Sequence, residues 1–340
     1  MTNMPKRKSI LYVYSHFASF VEADFDILST EHDVVKYQFT AKPGILNVAY
    51  FLLKQFFYLL IHVWKYDVVY IWFADYHSLL PVFFAKILNK KSFIVNGGYD
   101  AARIRKINYG VFCSGIRGFF AIYSMKNCTV NLPVSKYVER KVKYIAPKSD
   151  RLLIYNCMNL PASDQTNIVK ENIVLTVALV DNERTFFLKG INTFIETACL
   201  LPQYRFVIVG FDKSIVNHLI KELPGNVTIY NKIPHHELVT FYQKAKIYCQ
   251  VSLTESFGVS IAEAMFYNCI PIVTNEGAMP EVVGDYGHIV KRDTDKIAAS
   301  VEKILTSAPD NNKELMAEYI RKKFSPELRK EKLLAILKKE

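Results

Sequence analysis

At 340 residues the chain is long enough for two domains that each bury a core, and a hydrophobic content of 51% excludes a disordered polypeptide. Its six cysteines include no Cys-x-x-Cys pair and read as buried free thiols of a reducing compartment. A net charge of +11 at pH 7 points to an anionic partner, and nucleic acid, an acidic membrane surface and a nucleotide diphosphate all qualify.

Lys6-Arg7-Lys8 opens onto a strand-like run rather than an apolar leader, so a cytoplasmic location is expected. That run, Lys8 to Ser15, is the first of five apolar segments, followed by Asp33 to Phe39, Asp67 to Phe73, Ser92 to Asn96 and Thr129 to Val134. Helical stretches separate them, and such alternation predicts a parallel sheet covered on both faces. Ligands of such sheets bind beyond the carboxyl ends of the strands, which directs attention to His16, Trp72, Asp75, His77 and Gly97-Gly98-Tyr99-Asp100. The paired glycines allow close backbone approach to a ligand, and Asp100 is a candidate to orient a hydroxyl. No Gly-x-Gly-x-x-Gly follows the first strand, so a dinucleotide-dependent oxidoreductase has little support.

Ile45 to Trp64 has only Lys54 and His62 as possible charges. Asn47, Lys54, Tyr58, His62 and Lys65 form one narrow polar stripe, which suits a helix lying against something apolar better than one crossing a bilayer. Packing on the sheet and dipping into a membrane surface both stay open.

After Ile154 to Pro161, the polar stretch Ala162 to Asn167 reads as a linker. A second alternating set follows at Ile173 to Val180, Arg205 to Gly210, Val227 to Tyr230, Lys246 to Ser252 and Ile270 to Thr274. Within it, Thr254-Glu255-Ser256-Phe257-Gly258-Val259-Ser260-Ile261-Ala262-Glu263 reads as a turn and the start of a helix, with Ser256 as its N-cap. A helix start attracts phosphate, because its first amides are unpaired and carry partial positive charge. Ser256, Ser260, Glu263 and Tyr267 share one helical face, which would also fit an ordinary solvated side.

Glu255 and Glu263, the Ser256-Phe257-Gly258 step and Gly277-Ala278-Met279-Pro280-Glu281 resemble the donor-site signature of the retaining glycosyltransferases of family 4. The resemblance implies the GT-B fold, α/β with two doubly wound Rossmann-like domains facing across a cleft. It places an acceptor domain at 1–158, a nucleotide-sugar donor domain at 159–322 and a C-terminal helix at 323–340 that crosses back to the first domain. It also implies roles: Glu263 on the ribose, Glu255 at the donor sugar, the amides of Phe257, Gly258 and Val259 on the diphosphate, and Arg184 with Lys189 gripping that diphosphate. Gly97, Gly98 and Asp100 match sugar-side and acceptor-side groups. The usual glycine-arginine pair at the strand end is replaced here by Ala178-Leu179, with a longer loop reaching Arg184.

The implied reaction retains anomeric configuration and needs no metal or other cofactor. Two Asp-x-Asp triplets, Asp24-Asp26 and Asp293-Asp295, fall within or at the start of predicted helices, where carboxylates are expected in any case. Expected partners are a nucleotide sugar and a glycan or lipid-linked acceptor, with peripheral contact to an acidic membrane and no nucleic acid. An epimerase of the same architecture and a non-catalytic basic binding module are the alternatives. Transfer to an added acceptor separates the first, and a steep salt dependence without turnover the second.

Overall fold

A computed structural model describes residues 7–42, 44–158, 169–307 and 313–338. The expected linker 162–167 and Lys6 lie outside the described residues. The chain divides into two units, residues 1–156 with 329–340, and residues 157–328.

The first unit runs β1 (Ser9–Tyr14), α1 (Ser19–Ser29), β2 (Asp33–Gln38), α2 (Ile45–His62), β3 (Val68–Trp72), α3 (Tyr76–Ile87), β4 (Lys91–Asn96), α4 (Gly115–Asn127), β5 (Val130–Pro133) and α5 (Lys136–Ile145). All strand pairs are parallel in the order β2-β1-β3-β4-β5. One sheet face is covered by α2, α3 and α4: Leu59, Val63, Val82, Ala85, Ala121 and Met125 pack against Leu11, Val13, Val69, Ile71 and Ile94. On α1, Asp24 is fully buried and takes a bidentate pair from Arg329 at 2.6 and 2.7 Å, plus the Tyr70 hydroxyl at 2.7 Å. The Asp24-Asp26 triplet is therefore split, one carboxylate sealed in the core and the other exposed.

In the second unit come β6 (Glu171–Val180), α6 (Glu183–Leu188), α7 (Ile191–Leu200), β7 (Arg205–Phe211), α8 (Val216–Leu219), β8 (Val227–Tyr230), α9 (His235–Lys244) and β9 (Ala245–Gln250). They are followed by α10 (Val259–Phe266), β10 (Ile270–Thr274), α11 (Met279–Val283), β11 (His288–Val290), α12 (Thr294–Thr306) and α13 (Lys313–Phe324). The strand order is β11-β10-β9-β6-β7-β8, again parallel throughout. Its three-residue edge strand β11 is too short to leave a periodic trace in the sequence. Asp293 caps α12 by accepting from the Lys296 amide, the helix-start role expected of it.

The end of the chain differs from expectation. Phe324 of α13 stacks edge-on against Phe257 at 5.0 Å, and its carbonyl accepts from the Met158 amide, so α13 stays with the second unit. Only the stretch from Arg329, within α14 (Pro326–Lys338), belongs to the first.

Helix α2 also departs from the polar-stripe reading. Tyr58 turns inward to hydrogen-bond the Tyr66 hydroxyl at 2.9 Å, and Gln55 is fully buried, donating to the His77 carbonyl at 3.0 Å. Leu46, Tyr50, Leu53, Phe57, Leu60, Ile61 and Trp64 are exposed instead. Sheet contacts and local hydrogen bonds turn Tyr58 and Gln55 inward, while Lys54 and Lys65 stay exposed beside an outward apolar stripe. Arg7 is tied to Asp33 and to the Ser29 and His32 carbonyls, and Lys8 to the Leu337 carbonyl, so neither is a free basic flank.

Candidate active site

In the second sheet the strand order reverses between β6 and β9, leaving a crevice at their carboxyl ends. Loops from β6, β9 and β10 meet there. Glycine is required at two places: the position of a Cβ on Gly190 (φ +68°) lies 2.1 Å from the Val251 carbonyl oxygen, and one on Gly277 (φ +64°) lies 2.3 Å from that of Glu255. Both positions combine a left-handed backbone with close packing that only a missing side chain permits. The Ala278 amide donates to the Glu255 carbonyl at 2.8 Å, and the Leu253 amide to that of Leu188 at 2.8 Å, which locks the three loops together.

Glu255 is the centre of this arrangement. Its Oε1 accepts from Lys189 Nζ at 2.7 Å, Gln250 Nε2 at 2.6 Å and Ser252 Oγ at 2.9 Å. Among the described residues its Oε2 has no hydrogen-bond partner. Behind it the chain of contacts continues from Gln250 to the Tyr248 hydroxyl at 3.0 Å and on to Ser260 Oγ at 2.8 Å. One oxygen is fixed by three donors while the other is left open, so the carboxylate is oriented before any ligand arrives.

Helix α10 starts two residues later than its sequence suggests. Gly258 is its N-cap at φ +98°, no side chain caps it, and Ser256 lies outside it. Gly258 accepts from the amides of Ile261 and Ala262. Those of Val259 and Ser260 have no acceptor among the described residues, and are the open donors of the helix start. Phe257 contributes no side chain to a ligand surface, being 2% exposed against Phe324.

Glu263 lies on the same helix, 5% exposed, so the face that could have been a solvated one is interior. Its Oε1 pairs with His235 Nε2 at 3.0 Å and its Oε2 accepts from the Tyr242 hydroxyl at 3.0 Å. The hydrogen bond to Glu263 raises the pKa of His235, against the opposing effect of burial. Each carboxylate oxygen keeps a lone pair for a further donor. His236, beside it, is exposed.

Of the two expected cations, Lys189 alone pairs with Glu255. Arg184 is exposed on α6, and its guanidinium pairs with no carboxylate among the described residues. Sequence reasoning does not single out Gln250, Ser252, Tyr248 or Tyr242. At the end of an apolar strand, polar residues two apart are the signal available for Gln250 and Ser252.

Gly97, Gly98 and Asp100 belong to the first unit, and Asp100 is not a substrate-facing group. It is fully buried and accepts from the Ala74 amide at 3.1 Å, Asn96 Nδ2 at 3.1 Å and the Gly98 amide at 2.8 Å. Burial pushes its pKa up to about 6. Gly97 lies against the Phe73 ring, so this turn is closed on itself.

Residues 162–323 match the family described as Glycosyl transferases group 1. The chain is similar to the O-antigen chain mannosyltransferase RfbU of Salmonella typhimurium, 28% identical over 56% of this chain and 55% of that one. It is similar also to the O-antigen chain mannosyltransferase B of Escherichia coli, 24% identical over 50% of this chain and 46% of that protein. The chain thus spans about half the length of these curated relatives. Over nearly full lengths (97% and 98%) it shares the fold of a sucrose-phosphate synthase from Thermosynechococcus elongatus, with a TM-score of 0.76 at 15% identity.

Proposed function

We propose that this chain, which has the GT-B fold and matches the group 1 glycosyltransferase family over residues 162–323, transfers a sugar from a nucleotide diphosphate sugar to a glycan or lipid-linked acceptor, with retention and without a metal. The single observation that carries this is Glu255, held on one oxygen by Lys189, Gln250 and Ser252 and open on the other, beside the free amides of α10.

Negative charge grows on the departing diphosphate as the glycosidic bond breaks. Lys189 Nζ has three protons and gives one to Glu255, so it can hold a phosphate oxygen with another. The amides of Val259 and Ser260 meet the same anion at the positive end of the helix dipole. Preorganised donors of this kind stabilise developing charge without reorganising at the moment of reaction. Open Oε2 of Glu255 faces the other half of the separation, the positive charge on the sugar. Glu263 takes the ribose hydroxyls on its remaining lone pairs, and Arg184 supplies a mobile cation to the outer phosphate. In this proposal lysine and amides supply the neutralisation a divalent ion would otherwise provide.

The reading includes peripheral attachment to the cytoplasmic face of an acidic membrane. An 18-residue stretch within Ile45–Lys65 has a mean hydropathy of 1.4, and only 11% of its residues are buried. Beside it, α3 and α4 expose Phe83, Ile87, Ile116 and Phe119 on the side away from the sheet. No Asp or Glu occurs in 45–65, 76–87 or 115–127, whereas Lys54, Lys65, Lys86 and Lys126 do. An apolar surface free of carboxylates and edged with lysines suits anionic lipid.

The test is a thermal-shift screen against uridine, guanosine and adenosine diphosphates, followed by transfer assays in excess chelator with the product anomer read by NMR. One diphosphate should stabilise the protein, turnover should survive chelation, and the product should keep the donor's configuration. Turnover restored only by magnesium or manganese refutes the metal-free reading, and interconversion of the donor sugar without transfer favours an epimerase.

A further inference from the structure

The first unit contains an open groove of about 780 Å³, lined by the turns after β4 and by α4 and α5. It shares no residue with the Glu255 site, which belongs to the second unit, and its chemistry is divided. Phe112, Ile122 and Ile145 give it an apolar floor, while Arg103, Arg140 and Lys141 stand along it. Among the described residues none of these three cations pairs with a carboxylate, and no Asp or Glu among them lines the groove.

The sequence of α5 explains the arrangement. Val138 and Val142 bury one side of the helix against the fold. Tyr137, Lys141 and Ile145 recur at helical spacing on another and face the groove, with Lys141 Nζ over the Tyr137 ring at 4.6 Å. Such a volume falls in the range of small-molecule sites. Three cations without a carboxylate at one groove would repel one another at a cost unless an anion neutralises them. A free phosphate makes no use of the apolar floor, and a neutral lipid makes no use of the cations.

We propose that this groove binds a phosphorylated amphiphile, with its phosphate on Arg103, Arg140 and Lys141 and its hydrocarbon chain along Phe112, Ile122 and Ile145. The route out of the groove fits that occupant. Helix α4 supplies Ile122 to the groove and Ile116 and Phe119 to the outward apolar face, so one helix connects bound chain and bilayer. The inference rests on the glycosyltransferase reading in one respect: it makes the acceptor a lipid phosphate rather than a free glycan.

Calorimetry on the full chain with dodecyl phosphate, held below its micelle-forming concentration, tests it, alongside inorganic phosphate and dodecanol. Dodecyl phosphate should saturate one site and bind at least about tenfold tighter than either half alone. Arg140→Ala with Lys141→Ala should weaken it by at least about tenfold, as should Arg103→Gln made separately, because charge-assisted contacts to phosphate are lost. Far-UV dichroism and nucleotide diphosphate binding on each variant confirm that the fold persists. Equal affinity for inorganic phosphate reduces the groove to a plain anion site, equal affinity for dodecanol to a plain apolar one, and unchanged binding by both variants puts the amphiphile elsewhere; each overturns the proposal. Nucleotide binding without dodecyl phosphate binding sinks the groove alone, whereas the converse sinks the transferase reading and leaves the groove standing.

Discussion

At the scale of single residues, the two glutamates of the proposed donor site differ in what already holds them. Glu263 is engaged by His235 and Tyr242 on separate oxygens, a setting suited to binding a ribose alike in ground and transition states. Glu263→Gln should weaken free nucleotide diphosphate by roughly one to two decades, the value of a hydrogen bond to a charged group. Glu255 shares its Oε1 with Lys189, so Glu255→Gln frees that lysine. Diphosphate affinity should hold or rise while turnover falls by at least about two decades. Calorimetry and steady-state rates on both variants decide, and loss of diphosphate binding on Glu255→Gln alone would reverse the two roles. Asp100 behaves differently, since its carboxylate has no surface from which to touch a substrate. Its pKa is raised to about 6 in the folded chain, so between pH 4 and 6 the folded state binds more protons than the unfolded one and stability falls as pH rises. Asp100→Asn removes this term. Denaturation curves should shift the balance in favour of the variant by on the order of 2–3 kcal/mol between pH 4 and 6.5, with turnover little changed.

At the scale of elements, the last helix is anchored by charge as well as by apolar packing. Arg329 is 2% exposed, and besides Asp24 it donates to the carbonyls of Ile154 at 3.2 Å and Tyr155 at 2.6 Å. Removing one partner of such a pair strands the other charge in the core. Arg329→Met should destabilise the first unit by about 3–5 kcal/mol, whereas pairing it with Asp24→Leu should recover a large part. Urea titration followed by a probe in the first unit measures both, and additive losses in the double variant would show that the pair is not the anchor. Helix α2 carries the other lesson at this scale. Periodicity assigns its length and its amphipathic character, and Lys54 and Lys65 of the polar stripe are exposed, whereas Tyr58 of that stripe turns to the interior beside Gln55.

At the scale of the whole molecule, the net charge of +11 matters through where it is spread. Arg7 and Lys8 are spent on internal contacts, and the lysines of α2, α3 and α4 remain around an apolar surface. Vesicle flotation should recover the protein with anionic lipid, less with neutral lipid, and less again in high salt. Phe57→Ser with Trp64→Ser should cut recovery at least tenfold, since burying one such side chain is worth about 1.5–3 kcal/mol. Equal recovery from neutral and anionic vesicles would argue against this face.

Much of the molecule is written in local pattern. Ten strands, the two alternating sets, the glycines at tight turns and the Glu255 to Glu263 spacing are properties of neighbouring residues, and apolar periodicity with turn chemistry encodes them directly. What the sequence could not determine was which polar groups meet. The pairing of Lys189 with Glu255, 66 positions apart, of His235 with Glu263, and of Asp24 with Arg329, 305 positions apart, depends on strand order and loop closure. The same holds for the burial of Asp100 and for the outward side of α2. Local pattern records how much apolar surface a segment has, whereas the direction in which each side chain finds its partner is set by contacts between segments remote in sequence, and those exist only once the sheets have formed.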